Sequence, residues 1–438
     1  METRRVAQVV PLHTVPPAKA IGLSTRSNGQ PEASASNVAT ILLRVPEWNA
    51  VIEYDERTAE VRFAKRPPLP GHLCASSGPW PRPVADADHV AVQAWVAQAY
   101  GVTCGLQTVS DGMAAAAKQV PRDPVREYLG ALKWDGVERL SSWLSTYFGV
   151  AASEYVSEVG RRWMISAVAR TFQPGCQADH VLVLEGSQGI GKSTGLKTLA
   201  VQDTWFMDSS LDFKNKDSAD ALRGPWIVEL GELDSFHRAE LATIKAFVSR
   251  PIDRFRGAYG RTTGNYPRRV VFAGTTNETS YLRDPSGARR FWPVRCTVVD
   301  RLALARDRDH LWAEAVVAFK AGEAWWPSEA LAVLASSEQE QRYQVDEWET
   351  IVSAYVTGRD ETTLKDVAKD ALDIPAAKLD RVVQLRITAA LTRLGWTSTG
   401  NPVFRLIDGR RARVRVWTAP RGVETQTDLP RSAEWGAA

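Results

Sequence analysis

The period of apolar positions changes several times along the chain, and each change predicts an element. Val51 to Phe63 (VIEYDERTAEVRF) alternates apolar and polar residues about a central turn, which predicts a hairpin. Asp86 to Lys118 reads as two helices separated by Gly101 and Gly105. Helical spacing returns over Pro124 to Gly149, with a turn at Trp134-Asp135-Gly136, and again over Ser157 to Phe172. From about His180 to Cys296 the pattern is different. Short β-rich runs (VLVLEG, TWFMD, PWIVEL, RRVVFAGTTN, RRFWPVRC) alternate with helical ones, which predicts an α/β domain with a mainly parallel sheet. Residues 300–345 read as helical. Further on, TTLKDVAKDAL and KLDRVVQLRITAALTRLGW predict two helices, and VFRLIDGRRARVRVW predicts a hairpin turning at Asp408-Gly409. Helices followed by a basic hairpin predict a winged-helix-like unit. No internal repeat is present.

This pattern predicts a domain plan. Residues 1–35, rich in Ser, Ala, Pro and Asn, form a flexible arm. A mixed, mostly helical N-terminal domain spans 36–150, with Ser36-Asn37 capping its first helix and a proline-rich loop over Arg66 to Pro83. The α/β core covers 151–300, a helical lid or linker 301–345, the basic winged-helix-like domain 346–421, and a disordered tail 422–438. The 438 residues are 44% hydrophobic and 24% charged, an ordinary globular composition. A net charge of only +3 leaves any case for nucleic acid to local clusters. Cys74, Cys104, Cys176 and Cys296 are scattered, with neither disulfide nor zinc spacing, and fit a reducing cytoplasm. No long apolar run predicts a signal peptide, a transmembrane helix or another membrane association. No zinc-ribbon or acidic polymerase motif predicts a primase domain. The six histidines lack ligand spacing, and His180 and His237 read as structural.

The strongest chemical signal is GSQGIGKS, Gly186 to Ser193, which matches GxxxxGK[ST]. It follows an apolar run, Val181 to Leu184, and opens into Thr194 to Ala200, which is compatible with a helix. A strand, a glycine loop and a helix N-terminus together make an anion site. Gly186, Ser187, Gln188, Gly189, Ile190, Gly191, Lys192, Ser193 and Thr194 are therefore expected to cradle the phosphates of ATP. Lys192 would reach the β- and γ-phosphates, and the Ser193 hydroxyl would reach magnesium (Mg2+). PWIVELGELD then ends an apolar strand in carboxylates. One of Glu229 and Glu232 would hold the magnesium shell and the other would orient water. Glu229 is the expected metal residue, although the ELGE spacing leaves the two roles exchangeable. RRVVFAGTTN places Asn277 to bond the γ-phosphate or the lytic water, with Thr275 and Thr276 as alternatives. YLRDPSGARRFWPV supplies Arg283, Arg289 and Arg290. Arg289 or Arg290 is expected to reach a neighbouring subunit's γ-phosphate in a ring, or else to form a surface or structural ion pair.

In this order, GSQGIGKST, WIVELGELD, SRPIDRFRGAYGR, FAGTTN and YLRDPSGARRFWPV resemble the virulence-associated protein E family, as does the upstream YLGALKWDGVERL. The resemblance covers roughly residues 36–400. It implies an AAA+-like P-loop ATPase core related to superfamily 3 helicases, assembly as a homo-hexamer, and a role in replicating phage or other mobile DNA. It also implies that Lys192 and Ser193 bind nucleotide and metal, and that Glu229 and Glu232 form the acidic motif. Asn277 would be the sensor, and Arg289 or Arg290 the finger. Many relatives carry a primase domain on the same chain. Its absence here implies a separate primase partner or a role without priming.

Two local clusters favour DNA, single-stranded or forked. Residues 250–269 hold six arginines and one aspartate, interleaved with Phe255, Tyr259 and Tyr266. Superfamily 3 helicases place a DNA-gripping hairpin there, which makes Arg254, Arg256, Tyr259 and Arg261 the expected contacts. Bridging between subunits is the alternative. Residues 362–421 carry twelve basic and five acidic residues, with Arg410, Arg411, Arg413 and Arg415 in or beside the wing. A solvated surface strand is the alternative there. Two functions compete: a helicase motor, and a nucleotide-gated DNA-binding ATPase that assembles at an origin without unwinding. A small-molecule kinase fits the downstream motifs poorly.

Overall fold

The computed structural model describes residues 15–69, 79–208, 217–233, 238–256, 263–282, 289–343, 346–407 and 410–420. The chain divides into two units, residues 1–342 and 343–438.

In the first unit, helix α1 (Ala35–Arg44) is followed by strands β1 (Ile52–Asp55), β2 (Glu60–Phe63) and β3 (Arg82–Pro83). Helices α2 (Asp86–Tyr100) and α3 (Leu106–Ala117) and strand β4 (Pro121–Arg122) complete this region. The expected hairpin is present, with Ile52 opposite Phe63 in antiparallel register. Two expectations are corrected here. Residues 15–35 are not an arm. Ile21 and Leu23 are buried in the N-terminal core, and the buried Asn37 amide bonds the backbone of Ser24 and Glu32, holding the segment down. The cap of α1 is Ser34, which accepts the Asn37 N–H at 3.2 Å, rather than Ser36-Asn37.

Next come helices α4 (Pro124–Ala131), α5 (Trp143–Phe148) and α6 (Glu154–Phe172), then β5 (Val181–Glu185), α7 (Lys192–Leu199) and β6 (Phe206–Met207). They are followed by α8 (Asp217–Ala221), β7 (Ile227–Leu230), α9 (Arg238–Val248), the hairpin β8 (Ile252–Phe255) and β9 (Gly264–Pro267), and β10 (Val271–Thr276). Strand β11 (Phe291–Arg295) and helices α10 (Arg301–Lys320) and α11 (Glu329–Gln341) end the unit. Five strands form one parallel sheet in the order β11-β5-β10-β7-β6.

Because side chains alternate across a strand, each face of the sheet builds its own core. Leu182, Leu184, Ile227, Val271 and Ala273 face one layer, which contains Trp163 of α6, Leu196 of α7 and Trp312 of α10. Val181, Val183, Val228 and Phe272 face the other, with Ile244 and Phe247 of α9. Three buried indoles of these layers satisfy their N–H groups on backbone carbonyls, whereas the buried N–H groups of Trp143 and Trp292 have no partner among the described residues. Trp163 donates to Phe272 O (2.9 Å), Trp226 to Ala167 O (3.0 Å) and Trp312 to Leu199 O (3.0 Å).

The same packing moves the predicted boundaries. Val125, Leu129, Trp143 and Phe148 share the core of the sheet, so α4 and α5 belong with it and not with an N-terminal domain ending at 150. Leu304, Leu311, Leu331 and Ala335 lie in that core too, so α10 and α11 form one of its layers and are not a linker. The buried Arg57 ties the N-terminal strands to this body. Its guanidinium donates to Asp123 (3.2 Å), to the carbonyls of Pro225 and Arg269 (3.2 and 3.1 Å) and to Thr171 (3.3 Å).

The second unit holds α12 (Glu347–Val356), β12 (Glu361–Thr363), the short α13 (Leu364–Asp366), α14 (Arg381–Arg393), β13 (Thr397–Ser398), the pair β14 (Val403–Ile407) and β15 (Arg410–Val414), and β16 (Val416–Thr418). Strands β12, β16 and β13 form an antiparallel sheet in that order. Ile387, Leu391, Trp396 and Trp417 anchor its core.

At the amino end of β5, His180 stacks on Trp292 with ring centroids 4.2 Å apart. Burial pulls its imidazole down to about 4, from an ordinary value near 6.5, against the opposing pull of Asp179; Arg290 and Arg289 add to the depression. The folded chain therefore holds this ring neutral while the unfolded chain protonates it below about pH 6.5. Its contribution to stability is complete above that pH and is lost as pH falls towards 4. In urea unfolding, His180→Gln should show a shallower loss of stability from pH 6.5 to 4 than the parent chain. Parallel pH profiles would contradict this assignment.

Candidate active site

All five strands of the sheet are parallel, so their carboxyl ends share one edge, where ligands of open parallel sheets bind. β5 delivers its chain into the loop Gly186–Gly191, and α7 begins at Lys192. Glycine is required at two points. Gly186 has φ +144°, and a Cβ there would lie 2.5 Å from the Cys296 carbonyl oxygen. Gly191, with φ +97°, is the left-handed residue that turns the loop into the helix.

Four predicted residues converge on this loop. The Lys192 ammonium donates to the carbonyls of Gly186 (2.5 Å) and Ser187 (3.0 Å) and to Asn277 Oδ1 (3.1 Å). The Ser193 hydroxyl donates to Glu229 Oε1 at 2.7 Å, and the Thr275 hydroxyl donates to the same oxygen at 2.6 Å. Thr275 thus anchors the carboxylate, leaving Asn277 as the strand-end residue on the lysine. Glu229 is only 3% exposed, and its Oε2 has no hydrogen-bond partner. A buried carboxylate oxygen left without a partner is costly, and it fits a divalent cation beside the serine hydroxyl. These residues line a cavity of about 430 Å³ together with Glu232, Thr276 and Asp208. Glu232 is exposed and holds φ +51°, a strained setting for a residue with a side chain.

The sequence reading missed two features. Asp208, directly after β6, lines the cavity; its signal was a carboxylate ending TWFMD, the same arrangement that marks Glu229. Behind the loop, the buried Glu185 accepts from the Tyr281 hydroxyl (2.9 Å) and from the Arg342 guanidinium (2.8 and 3.1 Å). The backbone N–H groups of Tyr281 and Leu282 donate to Arg342 O, both at 3.1 Å. This cluster fixes the residue on which the loop starts. The acid ending VLVLE was its only mark in the sequence.

Arg289 and Arg290 stand elsewhere. Phe291 is level with Val181 and Arg295 with Glu185, so the two arginines lie at the amino edge of the sheet. At strand rise that is roughly 15 Å from the phosphate loop. Arg290 donates to the Ser249 hydroxyl (2.7 Å) and pairs with Asp179 (3.6 Å), while Arg289 is exposed. Neither belongs to the cavity on its own chain.

The β8–β9 hairpin also lies at the amino edge, where its second strand leads into the start of β10 and the Gly175 N–H, just after α6, donates to Arg268 O (2.9 Å). Arg254 and Arg256 are exposed on it, whereas Tyr259, Arg261 and Arg283 lie outside the described residues. The expectation of free aromatics fails at two positions. Phe255 and Tyr266 stack on each other at 4.5 Å, with Phe255 buried. The charge is lower than a count of arginines implies, because the buried Arg268 pairs with Asp253 (2.6 Å) and Arg269 with Asp123 (2.6 Å). In the second unit, Arg410 and Arg411 lie in β15, opposite Ile407 and Leu406. Arg413 and Arg415 are exposed, and the Arg413 guanidinium lies 5.6 Å from the ring of the exposed Phe404. The turn at Asp408-Gly409 falls outside the described residues.

Among the described residues no helix is long and apolar enough to cross a membrane, and no cluster of His, Cys, Asp and Glu is arranged to hold a metal. Solved structures of the NrS-1 C-terminal region are similar at low identity. The apo structure is 12% identical, covering 83% of this chain and 95% of that one with a TM-score of 0.42. Its A-form apo structure is 12% identical, covering 88% and 99% with a TM-score of 0.45. No curated protein matches. The virulence-associated protein E-like domain model matches residues 129–344, the segment that contains all five parallel strands, the glycine loop and its carboxylate. Residues 129–344 are therefore a virulence-associated protein E-like domain.

Proposed function

We propose that this chain is a replication ATPase of a phage or mobile genetic element that hydrolyses ATP in an oligomeric, hexameric ring and translocates on DNA as a helicase. The observation that carries the reading is the meeting of Lys192, Ser193, Glu229 and Asn277 at one glycine loop, with a Glu229 oxygen buried and unpartnered. The β11-β5-β10-β7-β6 order supports an AAA+-like core. The helices, three-stranded sheet and basic hairpin of the second unit support a winged-helix-like DNA-binding domain.

In this reading the amides of residues 186–194 and the Lys192 ammonium hold the triphosphate. Ser193 and Glu229 would hold magnesium, which neutralises charge on the β- and γ-phosphates. Glu232, exposed at the cavity wall, accepts the proton of the attacking water as its oxygen bonds to the γ-phosphorus and the bond to the β–γ bridging oxygen breaks. Asn277 orients that water or the γ-phosphate. Arg289 or Arg290 acts in trans on the neighbouring subunit's nucleotide, since on its own chain it faces the opposite edge. Arg254 and Arg256, with Tyr259 and Arg261, grip DNA along the ring channel, and Arg410, Arg411, Arg413 and Arg415 bind its backbone through the wing.

Lys192→Ala should lose ATP binding and, with it, DNA-stimulated hydrolysis and unwinding of a forked substrate. Glu232→Gln should keep ATP binding and lose about 100-fold or more in turnover. ATP-dependent DNA binding by the parent chain with no unwinding of any forked substrate would favour the nucleotide-gated binding protein.

An Arg289→Ala/Arg290→Ala variant should not hydrolyse ATP, and mixing it with Lys192→Ala should restore part of the activity. Each inactive chain would then supply what the other lacks across a shared interface. A mixture as inactive as its components would remove the trans assignment.

A further inference from the structure

Beyond β11, residues 296–301 run along the outer side of the phosphate loop. A Cβ on Gly186 would meet the Cys296 carbonyl oxygen, and one on Gly191 would meet Val299 Cβ at 3.5 Å and Arg301 Cδ at 4.0 Å. The segment is held firmly. The Thr297 and Asp300 N–H groups donate to Phe148 O (3.2 Å) and Tyr147 O (2.9 Å), and the Thr297 hydroxyl donates to Gly149 O (2.8 Å). Val299 packs against the core. Asp300, the acid nearest in sequence, spends its carboxylate on the Ala303 N–H (3.0 Å) as the cap of α10. Three other cations of α7 and α10 are engaged, while Lys320 stands at the far end of α10. Lys197 pairs with Asp203, Arg306 with Asp307, and Arg308 with Asp309. Arg301 is exposed, and among the described residues no carboxylate or carbonyl takes its guanidinium.

We propose that Arg301 is a phosphate-binding residue of the nucleotide site. Its guanidinium reaches past Gly191 to a non-bridging oxygen of the nucleotide bound in the same chain. The proposal rests on the reading of the Gly186–Ser193 loop as the nucleotide cradle. Gly191 has no side chain, so the stem of Arg301 passes close to the loop where it turns into α7. Lys192 approaches the phosphates from within the loop and Arg301 from outside it. A planar guanidinium donates two parallel charge-assisted bonds to a phosphate, which an ammonium cannot reproduce. Arg301 thereby supplies, on its own chain, a cation distinct from Arg289 and Arg290 at the far edge of the sheet.

Equilibrium titration of the full chain with magnesium ATP and with magnesium tripolyphosphate tests this. Arg301→Ala should weaken both ligands by the same factor, about tenfold or more. Arg301→Lys should recover part of the loss, and Arg301→Glu should weaken both further. Loss of ATP affinity with tripolyphosphate unchanged would put the contact on the sugar or base and overturn the phosphate assignment. Both affinities unchanged in Arg301→Ala, with both lost in Lys192→Ala, would overturn the role of Arg301 alone. Both intact in Lys192→Ala would overturn the cradle itself.

Discussion

One carboxylate organises the site. Glu229 lies one residue from the end of β7, Ser193 takes the second position of α7 and Thr275 lies near the end of β10, and two hydroxyls from these separate elements donate to the same Glu229 oxygen. Burying an ionised carboxylate is expensive unless each oxygen finds a donor or a cation. One oxygen is satisfied by the protein and the other is not. The arrangement exists only because β7, β10 and β5 are parallel neighbours, with Gly274 level with both Leu230 and Val183. Sheet order, loop geometry and carboxylate position are therefore one constraint, and the Glu185–Tyr281–Arg342 cluster fixes the loop from the opposite face.

The two edges of the sheet carry different chemistry. Glycines, hydroxyls and carboxylates gather at the carboxyl edge, while the β8–β9 hairpin and the Arg289–Arg290 pair lie at the amino edge. A parallel sheet enforces this separation. A residue before a strand cannot reach a ligand beyond that strand's end on the same chain. For the proposed ATPase, the consequence is that an arginine at the amino edge can act only on another subunit's nucleotide, whereas Arg301, which follows β11, can act on its own.

What the sequence revealed was mostly local. The phosphate loop was readable because its glycines, preceding apolar run and following helix are contiguous, and Glu229 because a carboxylate ends an apolar run. Asp208 escaped because β6 has two residues and gives almost no period. Helices α4, α5, α10 and α11 were predicted as helices but assigned to the wrong layer, since periodicity shows that a helix has an apolar face without showing what covers it. The arm reading failed because Ile21 and Leu23 are two apolar residues in a polar stretch, held down by an amide thirteen or more residues away. The supposed stacking aromatics were misread for want of register. Gly264 stands opposite Phe255, and the ring of Tyr266 occupies the space a Gly264 side chain would need.

A crystal structure of the full chain grown with magnesium and a non-hydrolysable ATP analogue tests the engine most directly. The triphosphate should lie against the amides of residues 186–194, with the metal beside Ser193 and Glu229 and with Asn277 turned to the terminal phosphate. An analogue bound elsewhere, or a metal that leaves Glu229 Oε2 without a partner, would contradict the central claim.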